Sequence, residues 1–67
     1  MNRVREYRKR QKLSQFELAE KIGVARQTVN LIENDKYNPT LKLCVDLAVM
    51  LGTDLNTLFW KVDENDD

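Results

Sequence analysis

The sequence predicts an all-α fold of five short helices. Three observations carry that prediction. Only two Gly and one Pro occur in 67 residues, too few turn formers for a multi-stranded sheet. Apolar residues recur at spacings of three and four along most of the chain. Helix starts and stops alternate, with Asn2, Ser14, Thr40 and Asp54 at capping positions and Gly23 and Gly52 at ends.

The first helix spans about residues 3–11, capped by Asn2, with Val4, Tyr7 and Gln11 on one face. Glu6 and Arg10 form a favourable i,i+4 pair on it. Ser14-Gln15-Phe16-Glu17 reads as a capping box, in which Ser14 caps and Glu17 reaches back. It opens a second helix over about 15–22 that buries Leu18, Ala19 and Ile22 and stops at Gly23. The third runs from about Arg26 to Glu33, with Val29 and Ile32 on one side. Its cap position, Ala25, has no side-chain acceptor to offer. Asn34 to Pro39 is rich in loop formers, and Pro39 keeps Asn38 extended. Thr40 caps a fourth helix, about 41–51, expected to turn Leu41, Cys44, Leu47, Ala48 and Leu51 inward. Asp54 caps a fifth, about 55–60, burying Leu55, Leu58 and Phe59. Trp60-Lys61-Val62 alternates in a way that suits a short C-terminal strand, and Asp63 to Asp67 reads as a mobile acidic tail.

Composition narrows the function. A chain of 67 residues is one domain near the lower limit for an unaided core, burying only about 60% of its unfolded surface. Hydrophobic residues at 42% beside 33% charged fit a globule and not a disordered chain. One Cys forms no internal disulfide, which makes the cytoplasm the simpler compartment. Zero His and one Cys argue against a zinc site. Cys44, on the inward stripe, reads as a small buried hydrophobe and not a redox sensor. No apolar signal core follows the Arg-rich start, and the longest apolar stretch, interrupted by Asp46, is far short of a membrane span.

The eleven basic and eleven acidic residues cancel, which at first argues against nucleic acid. Their distribution reverses that argument. Residues 1–12 carry net +5, residues 13–42 carry 0, and residues 43–67 carry −5. The basic start and acidic end describe an oriented molecule, so a net charge of zero no longer argues against nucleic acid.

Gln15 to Asn34 is the informative segment. Three residues, Gly23-Val24-Ala25, join two helices. Leu18, Ile22, Val29 and Ile32 share one small core, Val24 plugs the turn, Ala19 allows close passage, and Gly23 supplies a positive φ. Those are the demands of a DNA-binding helix-turn-helix at 15–34, within a domain spanning 1–62 and followed by the acidic tail at 63–67.

The chain resembles the Cro/cI-type helix-turn-helix regulators, also called the xenobiotic-response-element family. Leu13-Ser14-Gln15, Glu17-Leu18-Ala19, Arg26-Gln27-Thr28-Val29-Asn30, Ile32-Glu33, Lys36-Tyr37-Asn38-Pro39, Leu47-Ala48, Leu51-Gly52 and Leu58-Phe59 carry the resemblance, roughly from Val4 to Phe59. It is closest to small single-domain dimeric repressors. It implies a five-helix, lambda-repressor-like domain that binds a palindromic double-stranded DNA operator as a homodimer, with half-sites about 34 Å apart. It also implies a cytoplasmic, nucleoid-associated regulator, with no cofactor, metal, small-molecule ligand or membrane partner.

In that docking geometry Arg26, Gln27 and Thr28 meet base edges, with Asn30 and Leu31 one turn further along. Family members carry a polar or small residue where Leu31 stands; packing on a thymine methyl and a bare exposed Leu are both open readings. Gln15 at a helix start holds a phosphate by resemblance, and Asn34, Lys36 and Tyr37 contact the backbone from the loop. Arg8 and Glu33 both lie beside apolar stripes, so an ion pair between them ties the first helix to the third. Leu55, Phe59, Trp60 and Val62 read as a two-fold interface that Val49 and Met50 could extend; the competing reading has Trp60 closing the monomer core. An antitoxin-like or adaptor module using the same fold is the alternative function, separated from a regulator by a lack of sequence preference. An enzyme is disfavoured, because the chain offers no His, no Cys–base pair and no Gly-rich phosphate loop.

Overall fold

A computed structural model describes residues 2–60. Met1 and residues 61–67 lie outside the description, and with them Val62, most of the expected strand and the acidic tail. The elements follow as α1 (Val4–Arg10), α2 (Gln15–Ile22), α3 (Arg26–Glu33), α4 (Leu41–Met50) and a final π-helix (Asn56–Trp60).

Each start is chemically visible. The Val4 N–H donates to Asn2 Oδ1 at 3.0 Å, so Asn2 caps α1 from one residue outside Arg3, the first flanking position. The capping box at α2 is complete: Glu17 N–H donates to Ser14 Oγ at 3.0 Å, and Ser14 N–H donates to Glu17 Oε1 at 2.8 Å. Those bonds hold the exposed Glu17 carboxyl below its ordinary range. Thr40 Oγ1 accepts from Leu43 N–H at 3.2 Å to open α4, and Asp54 Oδ1 accepts from Thr57 N–H at 2.7 Å before the π-helix. Ala25 caps α3 without a side-chain bond.

Val4, Leu18, Ala19, Val29, Ile32, Leu47, Ala48, Leu51 and Leu58 form the core, so every described helix contributes to it. The Arg3 N–H donates to the Leu58 carbonyl at 2.9 Å and closes the two ends of the described chain on each other.

Four expectations change. Leu41 is 65% exposed and not inward. Leu47 and Leu51 set the centre of the buried arc of α4, and Leu41 falls roughly a quarter turn from it; half-buried Leu43 packs on the core instead. Gln11 is the exposed C-cap of α1 and not part of its buried face. The fifth helix forms where expected but winds as a π-helix and not as an α-helix. Trp60 ends that helical segment, so it is not the first residue of a strand.

Candidate nucleic-acid interface

The α2–turn–α3 unit is the helix-turn-helix. Gly23 takes φ +76°, the left-handed conformation that ends α2, and the Val24 N–H returns to the Ala19 carbonyl at 3.0 Å. Leu18, Ala19, Val29 and Ile32 are buried between the two helices and their neighbours, while Ile22 and Val24 are half-buried on the same core. Burying Val29 and Ile32 leaves the N-terminal side of α3 outward. There Arg26 and Gln27 are exposed, and Thr28, Asn30 and Leu31 are half-buried. The base-contact candidates therefore share one helix with Arg26 and Gln27 free to reach outward. Leu31 is half-buried on the same helix.

Behind α3 lies a polar hub. Glu33 is 1% exposed. Its Oε2 accepts from Arg8 Nε at 2.6 Å, and its Oε1 accepts from Arg8 Nη2 at 3.2 Å, Gln15 Nε2 at 3.1 Å and Arg5 Nε at 3.3 Å. Arg8, also buried, sends Nη1 to the Leu13 carbonyl at 2.8 Å. Burial pushes the Glu33 carboxyl up, but the bonds from Arg8, Gln15 and Arg5 and the Arg8 charge outweigh it, so the group stands below the ordinary carboxylate value. No buried side-chain nitrogen or oxygen among the described residues lacks a partner. A charge pair this deep is stabilising only because its donors and acceptors are matched.

The hub also collects candidate contact residues. Gln15 Oε1 accepts a long bond of 3.5 Å from Asn30 Nδ2, linking the start of α2 to the middle of α3. Asn34, at the C-cap of α3, donates from Nδ2 to the Asn30 carbonyl at 2.8 Å and accepts from Arg5 Nη2 at 3.2 Å. Asp35 then takes φ +57°, and the Lys36 N–H bonds the Leu31 carbonyl at 2.9 Å, which leaves Lys36 and Tyr37 exposed on the loop. The structure thus brings Gln15, Asn30, Asn34, Arg8 and Glu33 into one network, with Lys36 and Tyr37 standing outside it.

Two members were missed from sequence. Arg5 bridges Glu33 and Asn34, and Asn2 Nδ2 donates to the Ile32 carbonyl at 2.7 Å and to Asp35 Oδ1 at 2.9 Å. A signal existed for Arg5, which stands three residues before Arg8 and so on the same side of α1. Nothing in the sequence marked Asn2 for more than capping.

At the other end Leu55 and Phe59 are half-buried on the core, and Trp60 is 59% exposed. Cys44 is half-buried, its Sγ 3.9 Å from the Pro39 carbonyl, and burial pushes its thiol pKa up, away from reactivity. Among the described residues no group of three His, Cys, Asp or Glu side chains is placed to hold a metal, and no helix is long and apolar enough to cross a membrane.

A helix-turn-helix family model matches residues 4–58. An HTH-type transcriptional regulator of Methanocaldococcus jannaschii is 40% identical over 63 residues, covering 94% of this chain and 96% of the relative. Among solved structures, a SinR–SinI complex matches with TM-score 0.83 and 33% identity over 97% of this chain, which spans 64% of that one. SinR bound to DNA matches with TM-score 0.75 and 34% identity, over 82% of this chain and 89% of that one. Agreement over the length that builds the turn, its core and the buried ion pair leads to one conclusion: this chain belongs to the Cro/cI-type helix-turn-helix family of transcriptional regulators.

Proposed function

We propose that the chain represses transcription by binding a near-palindromic DNA operator as a homodimer, with one α3 in each of two successive major grooves. The observation that carries this reading is the pairing of an outward Arg26-Gln27 edge with a rigid rear face, on a fold that superposes on a DNA-bound regulator. Arg26 reads guanine O6 and N7 with its fork, Gln27 pairs with adenine, and Thr28, Asn30 and Leu31 extend the contact surface along the helix. Gln15, Asn34, Lys36 and Tyr37 hold backbone phosphates and set the register. Residues 1–62 form the DNA-binding domain, with 63–67 as its acidic tail. Leu55, Phe59, Trp60 and Val62 join the protomers; the exposure of Trp60 at 59% supports that face. The chain is not an enzyme in this reading: among the described residues the one deeply buried carboxylate, Glu33, is occupied by two arginines and a glutamine. A repressor of this kind works in the cytoplasm on chromosomal DNA.

Selection of the purified chain against random duplexes tests the proposal. The expected result is a two-fold symmetric motif with half-site centres about one helical turn, roughly 34 Å, apart. Recovery of sequences with no shared motif overturns it in favour of a protein-binding adaptor.

A further inference from the structure

We infer that Arg5 is a positioning residue: it aims the side-chain amide of Asn34 at a DNA phosphate. This rests on the reading that the loop after α3 grips the operator backbone. Arg5 has its side chain 42% exposed and splits its fork between two acceptors. Nε goes to the buried Glu33 Oε1 at 3.3 Å, and Nη2 goes to Asn34 Oδ1 at 3.2 Å. One prong is anchored in the interior, and the other reaches the loop.

The consequence for Asn34 is chemical. Its amide has one acceptor oxygen and a nitrogen with two N–H groups. The oxygen is taken by Arg5, and one N–H is taken by the Asn30 carbonyl at 2.8 Å. Turning the amide over sets its nitrogen against the guanidinium, donor to donor, and its oxygen against a carbonyl, acceptor to acceptor. Arg5 therefore locks one orientation, in which the second N–H is left to donate outward. A donor is what that place requires, because the C-terminus of α3 presents the negative end of the helix dipole to any phosphate. The Asn30 carbonyl alone leaves the oxygen of Asn34 unheld. A lysine at this position would donate from a single nitrogen with rotatable N–H groups, without the rigid fork whose two spaced prongs fix the Asn34 amide.

The test uses the full chain and the selected operator, with Arg5→Met, Arg5→Lys, Asn34→Ala and the Arg5→Met/Asn34→Ala double variant, each checked for folding by thermal melt. Asn34→Ala is expected to weaken operator binding roughly ten- to a hundredfold, the scale of one hydrogen bond to a charged group. Arg5→Met is expected to match it, and the double variant to bind no more weakly than either single one. Arg5→Lys keeps the charge and is expected to fall with Arg5→Met. Losses that multiply in the double variant show Arg5 gripping phosphate independently and overturn the inference. Wild-type affinity in Arg5→Lys also overturns it, as does a lowered melting temperature in Arg5→Met with unchanged operator binding. If Asn34→Ala binds normally, the phosphate role of Asn34 falls and the inference falls with it. Nuclear magnetic resonance of the free protein judges the positioning separately: the Asn34 side-chain amide signals should shift and broaden in Arg5→Lys. Unmoved signals overturn the inference even where an operator is found, while shifted signals with no operator found leave the positioning standing and remove only the DNA reading.

Discussion

Glu33 and Arg8 show how one residue pair organises this small domain. With Glu33 1% exposed, removing its main partner strands a charge in the core. Arg8→Met is expected to cost about 3–5 kcal/mol, read as a fall in the denaturation midpoint. The same carboxylate sets an acid limit. Its folded pKa lies below the ordinary 4.5, so its contribution is complete above that value and is lost as pH falls through the folded one. Melting temperature should therefore decline below about pH 4.5, and Glu33→Gln should flatten that part of the curve. Arg26→Ala should relax preference at one operator position by roughly 1–3 kcal/mol, measured as the affinity ratio between the cognate and a substituted base pair. A uniform loss across sequences would instead make Arg26 a phosphate contact.

At the scale of elements, the two helices of the motif are held in different ways. A complete capping box opens α2, so Ser14→Ala is expected to cost about 1 kcal/mol by denaturant titration. By contrast, α3 starts at Ala25, whose extended backbone (φ −74°, ψ 150°) already has the capping conformation but no acceptor. Ala25→Ser should therefore stabilise the chain by about 0.5–1 kcal/mol, by the same measurement. Between them Gly23 holds φ +76° with open space where a Cβ would lie. The cost of Gly23→Ala is then purely conformational, about 1 kcal/mol. These caps and turns were legible because each depends on residues within four positions of one another. The exposed Leu41 was misread because the direction of α4 depends on what Leu47 and Leu51 meet across the core.

For the whole molecule, zero net charge hides a basic α1 flank, a neutral helix-turn-helix and an acidic C-terminal part. The exposed Lys9, Arg10 and Lys12 lie at the end of α1, with Arg10 held over the Tyr7 ring at 4.5 Å and paired to Glu6 at 2.7 Å. Affinity should therefore lean on the combined grip of two protomers. Trp60→Ser is expected to shift the chain toward monomer in sedimentation and to weaken operator binding with little change in the bases preferred. An unchanged sedimentation profile would return Trp60 to the monomer. The sequence by itself determined the four α-helices, the tight turn, the caps and the charge layout, because these follow from local spacing and backbone chemistry. It also pointed to the Arg8–Glu33 pair, since two charges beside apolar stripes have few alternatives. Only the tertiary structure decided that Arg5, Gln15 and Arg8 converge on one carboxylate and that Asn30 and Asn34 are tied to the same hub. It also wound the last helix as a π-helix, with Trp60 left exposed. The physical reason is distance along the chain: Arg5 and Glu33 stand 28 residues apart, and only packing of the core brings them within a hydrogen bond.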